Sequence, residues 1–283
     1  MLMSMKFGFH VSISGSVDRA VDRAAELGCD VFQIFTRNPR TWKSRELRPE
    51  EIEAFWEKRK KAGIDPVFGH MPYLPNLATP RDDMYARSVE SLAVGLQRCD
   101  TLGIPYLVTH LGSHLGSGSV VGVRRVQAAL DTVLSRDGGG VVLLLENTSG
   151  SRNSVGSDLV ELGAILDGLR FGGRVGVCFD TCHGFAAGFD LRDGVAVDTT
   201  VGLLESVVGL DRVGLVHLND CTGVLGGHVD RHEHVGLGGI GVEGFRALLG
   251  SGLGGVPMVM ETPVDDRRGD AENLAAVRGL AGL

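Results

Sequence analysis

Short apolar runs alternate along this chain with longer segments in which apolar residues recur every three or four positions. The short runs have the length of buried strands, and the longer segments have the spacing of amphipathic helices. Regular alternation of the two predicts a parallel sheet covered by helices. The predicted strands are residues 6–10, 31–35, 66–70, 106–110, 141–146, 175–180, 213–217 and 256–261.

Each predicted strand is followed by a helical stripe of apolar residues. The clearest stripe contains Tyr85, Val89, Leu92, Leu96 and Cys99, which would share one face of a helix. Eight strand–helix units favour closure of the sheet, and 283 residues suit one barrel of typical size. We therefore predict an α/β fold, a (β/α)8 TIM barrel, with residues 1–283 forming a single domain.

The last six predicted strands each end on a histidine or a carboxylate. Because the C-terminal ends of barrel strands meet at one mouth, these side chains would share one site. Several connections that leave this mouth are long, at 71–81, 147–156, 181–198 and 219–242, which is typical of functional loops. The strand-end residues are His70, His110, Glu146, Asp180, His217 and Glu261.

Several carboxylates buried in one site are costly unless cations compensate them, and bound metal ions remove that cost. Imidazole and carboxylate ligands without thiolates suit zinc, or less selectively manganese, iron or cobalt. Three further candidate ligands lie in the long loops, namely His183, Asp230 and His232. Nine candidates are enough for three ions, and such a cluster suits phosphoester cleavage.

The composition is that of a folded chain, with 43% hydrophobic and 22% charged residues. Neither a long apolar stretch nor an apolar N-terminal core occurs, so we expect no membrane insertion and no secretion. The expected compartment is the cytoplasm. The five cysteines lack metal-type spacing and are expected to be reduced and mostly buried, with Cys182 and Cys221 as the two that could touch a site.

Several short motifs occur in order along almost the whole chain. The most specific are DTCH at 180–183, HLND at 217–220 and VDRH at 229–232. They are accompanied by HVS at 10–12, FTRN at 35–38, HLGSHL at 110–115 and ENT at 146–148. In this set the chain resembles the endonuclease IV family of zinc-dependent apurinic/apyrimidinic endonucleases.

The resemblance implies a cluster of three zinc ions per chain, in which Glu146 bridges two ions and Glu261 orients the nucleophilic hydroxide. These two carboxylates would be the catalytic residues. The implied ligand groups are His70, His110 and Glu146; then Glu146, Asp180, His217 and Glu261; then His183, Asp230 and His232.

The implied substrate is double-stranded DNA with abasic or 3′-blocked damage. Cleavage 5′ to an abasic site would leave a 3′-hydroxyl and a 5′-deoxyribose phosphate. Arg40, Tyr73 and Leu74 match positions that enter the DNA at the lesion, although a surface arginine and two loop hydrophobics are the alternative interpretation. The formal net charge of −7 opposes DNA binding, but three divalent ions would offset six of these charges. No membrane and no obligatory protein partner is indicated.

Four other histidines have open roles. His10 and His114 match family positions and either orient ligands, contact the substrate or fill space. His228 and His234 flank the third ligand group and are expected to be solvated loop residues.

Two other functions compete with the endonuclease interpretation. A sugar isomerase or epimerase would carry one or two metals at similar strand ends, and the third ligand group argues against it. A protein that recognises damage without cutting would need neither a bridging acid nor a residue that orients a nucleophile, so Glu146 and Glu261 argue against that role.

Overall fold

The computed structural model describes residues 5–283 and contains a closed barrel of eight parallel strands surrounded by helices. The predicted TIM barrel is therefore confirmed. The barrel strands are β1 (Phe7–His10), β2 (Val31–Phe35), β3 (Val67–His70), β4 (Tyr106–Thr109), β5 (Val142–Glu146), β6 (Val175–Asp180), β7 (Val213–His217) and, after the hairpin of β8 (Asp220–Cys221) and β9 (His232–Glu233), β10 (Met258–Met260).

Successive barrel strands are neighbours, and β1 closes the barrel by pairing with β10. The helices lie between the strands in the chain, and none in the described part combines the length and apolar character that a membrane span needs. They are α1 (Arg19–Glu26), α2 (Pro49–Ala62), α3 (Asp82–Leu102), α4 (Ser119–Leu134), α5 (Leu159–Asp167), α6 (Thr181–Ala187), α7 (Gly194–Val207), α8 (Gly241–Gly250) and α9 (Asp270–Leu280).

Two predicted strands are shorter than expected at their C-terminal ends. β4 ends at Thr109 and β10 at Met260, so His110 and Glu261 are the first residues beyond their strands. At Glu261 the reason is visible, because its backbone N–H donates to the side-chain oxygen of Asn219, 2.8 Å away, instead of to a strand carbonyl. Both residues still lie at the mouth of the barrel.

An apolar layer fills the barrel interior below the mouth. Its members are buried and each comes from a different strand: Val31, Phe68, Val108, Leu144, Cys178, Leu215 and Val259. The strand without a member is β1, where a Cβ on Gly8 would lie 1.6 Å from the carbonyl oxygen of Val31. Because side chains alternate along a strand, the residues two positions later point inward one layer nearer the mouth.

Candidate metal centre

A polar layer lies directly above this apolar layer, with one residue from each barrel strand or from the position just after it. Strand alternation brings these side chains to one face, and the burial of the layer below fixes their register. The layer consists of His10, Gln33, His70, His110, Glu146, Asp180, His217 and Glu261. Six of its members are predicted ligands.

Glu146 lies between two groups of candidate ligands. Its Oε2 is 3.0 Å from Nε2 of His70 and 3.4 Å from Nε2 of His110. Its Oε1 is 3.1 Å from Nδ1 of His217. The carboxylate is 1% exposed, and its two oxygens face different groups, which is the arrangement that a bridging ligand needs.

The second group contains Asp180, His217 and Glu261, whose ligand atoms lie within 4.8 Å of one another. Nδ1 of His217 is 3.7 Å from Oδ2 of Asp180 and 3.7 Å from Oε2 of Glu261. Asp180 has a second task, because its Oδ1 accepts the backbone N–H of His183 at 2.8 Å and so caps α6. This cap places His183 against the cluster.

The third group combines α6 with the β8–β9 hairpin. Nε2 of His183 is 3.2 Å from Oδ1 of Asp230, and Nε2 of His232 is 3.8 Å from the same oxygen. Nε2 of His232 also lies 3.7 Å from Oδ2 of Asp180, so the third group adjoins the second. The structure thus brings all nine predicted ligands into three neighbouring groups.

Hydrogen bonds on the outer ring nitrogens fix the direction of most of these imidazoles. Nδ1 of His70, His183 and His232 donates to the backbone carbonyls of Met71, Asn147 and Glu261, at 2.7, 2.9 and 3.0 Å. Their Nε2 atoms therefore face the cluster. Metal-ligating histidines are commonly held in this way.

Charge in the cluster is balanced by protons when no cation is present. Burial would raise the pKa of Glu146, but His110 and His217 hold this pKa well below its usual value. Burial would likewise lower the pKa of His183, but Asp180 and Asp230 raise it well above its usual value. The buried carboxylates therefore need positive charge, which metal ions can supply in place of the protons.

The residues present fit bound zinc. Nε2 of His232 is buried and has no hydrogen-bond partner within residues 5–283, as expected of an atom that faces a metal. The sulfur of Cys182 also comes within 4.8 Å of ligand atoms of Asp180 and His232. The hydrogen bond that the Cys182 thiol donates to Cys221, together with burial, raises the pKa of this thiol, so the imidazole and carboxylate set remains the better match. All five cysteines are buried and free, as expected.

The HLND motif at 217–220 contains two positioning residues that the sequence analysis did not single out. Asn219 donates to Oδ2 of Asp180 at 2.8 Å and accepts the backbone N–H of Glu261, so it aligns two candidate ligands. Asp220 accepts backbone N–H groups from Gly236, Gly238, Ile240 and Gly241, and so folds the loop after the third group. Their position in HLND was the available signal.

Of the four remaining histidines, only His234 departs from the expectation. Nδ1 of His10 lies 3.0 Å from Oε1 of Glu261, so His10 belongs to the site. His114 instead accepts the backbone N–H groups of Gly116 and Gly118, which is a turn-stabilising role. His228 is exposed, as expected, but the prediction for His234 was wrong.

His234 is fully buried. Its Nε2 donates to Asp265 at 3.0 Å, and its Nδ1 accepts from Asn273 at 2.9 Å. These partners lie far along the chain, after β10, so local loop polarity gave no sign of them.

The three residues predicted to contact DNA lie on two loops at the mouth. Tyr73 is 67% exposed and packs edge-on against Phe35, with ring centroids 5.1 Å apart. It lines a cavity of about 370 Å³ together with seven of the candidate ligands. Leu74 beside it is 37% exposed. Arg40 is exposed and lines a neighbouring cavity of about 780 Å³, which Phe35 shares.

The loop that carries Arg40 is tied to the barrel by arginines. Buried Arg37 donates to the carbonyl of Trp42 at 2.6 Å and to the hydroxyl of Ser91 on α3. Arg98 on the same helix donates to the carbonyls of Thr36 and Arg45, at 2.6 and 2.9 Å. These side chains line the larger cavity or its edge, so this part of the mouth is positively charged.

Comparisons with known proteins agree with this geometry. Residues 21–281 match the model of the family described as xylose isomerase-like TIM barrel. A protein named probable endonuclease 4 from Methanoculleus marisnigri is 53% identical over 97% of this chain and 98% of its own length.

Solved structures show the same relationship. The crystal structure of endonuclease IV from Thermus thermophilus superposes with a TM-score of 0.88 at 37% identity, covering 98% of this chain and 99% of that one. A D-tagatose 3-epimerase-like protein superposes with a TM-score of 0.74 at 21% identity, covering 98% of each chain, and shows the fold alone. The chain belongs to the endonuclease IV family.

Proposed function

We propose that this protein is a zinc-dependent endonuclease that incises duplex DNA on the 5′ side of abasic sites, leaving a 3′-hydroxyl and a 5′-deoxyribose phosphate. The observation that carries the proposal is the position of Glu146 between the first two ligand groups, with the third group beside them. Three adjoining groups of imidazoles and carboxylates suit phosphoester hydrolysis. The endonuclease name of the relatives supports the same activity.

Zinc ions held by the three groups would supply a hydroxide nucleophile at neutral pH and stabilise charge on the phosphate. Glu146 holds the first two groups at a fixed separation, because each of its oxygens faces one group. Glu261 has one oxygen, Oε1, held by Gln33 at 2.8 Å, while Oε2 faces the second group. This carboxylate is therefore held in one orientation, from which it would orient the hydroxide.

The mouth of the barrel supports damaged duplex DNA as the substrate. Tyr73 and Leu74 are hydrophobic and exposed beside the ligand groups, where they could fill the space that a missing base leaves. Arg40 and the arginines behind it place positive charge next to the same mouth, where phosphates would pass. The same cluster would accept the phosphate of a 3′-blocked end.

The third ligand group also favours this function over its rivals. An epimerase needs only the strand-end groups, whereas His183, Asp230 and His232 form an additional group on α6 and the hairpin. A protein that only binds lesions would gain nothing from a buried bridging carboxylate, which is costly to maintain.

A duplex with one tetrahydrofuran site tests the proposal. We expect a single incision on the 5′ side of the site, with a 3′-hydroxyl that a polymerase extends, and no incision of the undamaged duplex. Chelation should abolish the incision and added zinc should restore it. Absence of incision by the zinc-loaded protein, or incision on the 3′ side, would refute the proposal. A second duplex with a 3′-phosphoglycolate end tests the trimming activity.

A further inference from the structure

Gln33 is an amide in the middle of a strand that is otherwise apolar. It lies on β2 between Phe32 and Ile34 and is fully buried. Its side chain points into the barrel, in the same layer as the candidate ligands and directly above Val31. A buried amide is costly unless its hydrogen bonds are satisfied, so its partners indicate why it is there.

Both ends of the amide contact candidate ligands of the second metal group. Nε2 of Gln33 donates to Oε1 of Glu261 at 2.8 Å, and Oε1 of Gln33 accepts from Nε2 of His217 at 2.9 Å. The orientation of the amide follows from chemistry, because an ionised carboxylate can only accept and must face the NH₂ group. The amide oxygen then faces His217 and requires a proton on its Nε2.

This contact sets His217 apart from the other oriented ligands. His70, His183 and His232 donate through Nδ1 to backbone carbonyls and present Nε2 to the cluster. His217 donates through Nε2 to the side chain of Gln33 and presents Nδ1. Its tautomer is thus fixed by one replaceable side chain rather than by the backbone.

We propose that Gln33 is a positioning residue that fixes the tautomer of His217 and the orientation of Glu261, so that both present their inner atoms to one metal ion. The proposal deepens the proposed function and rests on it. Gln33 on β2 contacts residues at the ends of two other barrel strands, since His217 ends β7 and Glu261 follows β10. A residue that merely filled the barrel would need no polar atoms, as Val31 below it illustrates.

Three variants separate positioning from packing. Gln33→Leu keeps a similar volume and removes the hydrogen bonds to His217 and Glu261, as well as the contact of 2.9 Å between Nε2 of Gln33 and Nδ1 of His10. Gln33→Glu keeps the acceptor for His217 and removes the donor to Glu261. Val31→Ala is the matched control, because it creates a cavity in the same strand and the same barrel interior but touches no candidate ligand through a hydrogen bond.

Two measurements apply to every variant. The first is retention of zinc during dialysis against increasing concentrations of a chelator, with the bound ions counted by elemental analysis. It is accompanied by the visible spectrum of the Co²⁺-loaded protein, which reports on ligand geometry. The second is kcat and KM for incision of the tetrahydrofuran duplex at saturating zinc. We expect Gln33→Leu to release one of its ions about 10- to 100-fold more readily, to alter the Co²⁺ spectrum and to lower kcat by about 10- to 100-fold with little change in KM.

We expect Gln33→Glu to keep the contact to His217 and still to lose kcat, because its carboxylate faces that of Glu261 where the NH₂ group donates in the wild type. Val31→Ala should lower the melting temperature and leave zinc retention, spectrum and kcat close to wild type. Wild-type zinc retention and kcat in Gln33→Leu would overturn the proposal, and so would equal losses in Val31→Ala.

If the wild-type protein failed to incise the duplex, the proposed function would fail, and the zinc and Co²⁺ measurements would still decide the role of Gln33. If Gln33→Leu did not fold, the Gln33→Glu variant would decide between positioning and packing.

Discussion

Nδ1 of His232 lies 3.0 Å from the backbone carbonyl oxygen of Glu261. This hydrogen bond joins the hairpin that carries the third ligand group to the strand end that carries the second. It also directs Nε2 of His232 at Asp180 and Asp230. The third group is therefore built onto the other two and is not a separate surface site.

We predict about three zinc ions per chain in wild-type protein purified without chelator, because the ligands form three groups. His232→Ala should hold about two, since the third group keeps only two protein ligands. Elemental analysis of both proteins checks this. His228→Ala is the control, because His228 is exposed on the same loop and belongs to none of the groups. No more than one tightly held ion in the wild-type protein would contradict the trinuclear arrangement.

Glu261→Gln should retain much of the zinc and the affinity for abasic duplex but lose several orders of magnitude in incision rate. The amide cannot orient and stabilise a hydroxide nucleophile as a carboxylate does. Single-turnover incision at saturating enzyme measures the rate, and fluorescence anisotropy measures the binding. Glu243→Gln, an exposed substitution on α8, should have the wild-type rate. Near wild-type incision by the Glu261→Gln variant would remove Glu261 from its proposed role.

The barrel was predictable because burial imposes a pattern. The buried positions of each strand are apolar. The eight short apolar segments and the helical stripes between them were therefore sufficient to indicate the closed sheet. The candidate ligands could be found for the same reason, since the inward position nearest the mouth is the one place where an apolar run accepts a polar residue. Strand ends were less predictable, because at Glu261 the end depends on a hydrogen bond to Asn219, which is distant in sequence.

Gln33 was missed although it occupies the equivalent position on β2. The prediction took Phe35 as the strand end and treated the run as uniformly apolar, whereas the inward layer lies two residues earlier. Counting the same inward register on all eight strands would have found it. The burial of His234 could not be found in this way, because its partners Asp265 and Asn273 are brought to it only by the tertiary fold.

Glu51 gives a pH-dependent prediction for the loop that carries Arg40. Its carboxylate is 3% exposed and accepts hydrogen bonds from Arg45 at 2.6 and 2.7 Å and from Arg48 at 3.0 Å. Arg45 and then Arg48 hold the pKa of Glu51 far below its usual value of 4.5. Since the folded pKa is depressed, the stabilisation is complete above the unfolded pKa and is lost as the pH falls below it.

Glu51→Gln should therefore lower the melting temperature by about 2 to 4 °C at pH 7, and the deficit should shrink as the pH falls below about 4. Differential scanning calorimetry of both proteins from pH 3 to 7 checks this, and loss of metal at low pH is common to both. Glu53→Gln on the same helix lacks these arginine contacts and should show no such trend. A deficit that is constant with pH would mean that the carboxylate charge is not what holds the loop.

Tyr73 and Leu74 give the last prediction, which tests whether they enter the DNA at the lesion. Replacing both with alanine should weaken binding to abasic duplex by on the order of 1 to 3 kcal/mol, the scale of lost stacking and wedge contacts. Zinc content should not change, because neither residue belongs to a ligand group. Binding to undamaged duplex rests on phosphate contacts and should change much less.

The deciding measurement is the ratio of abasic to intact affinity at one fixed ionic strength. A double alanine variant of Val120 and Val121 is the matched control, because these two residues are also apolar and exposed but lie at the start of α4. The control should keep the wild-type ratio, and the Tyr73 and Leu74 variant should lower it. Arg40→Ala, on the neighbouring loop, should lower the same ratio and also reduce the salt dependence of binding if Arg40 contacts phosphate as well. An unchanged ratio in the Tyr73 and Leu74 variant would show that these side chains stay outside the helix, and the selectivity for abasic sites would then have to arise from the shape of the cavity above the ligand groups.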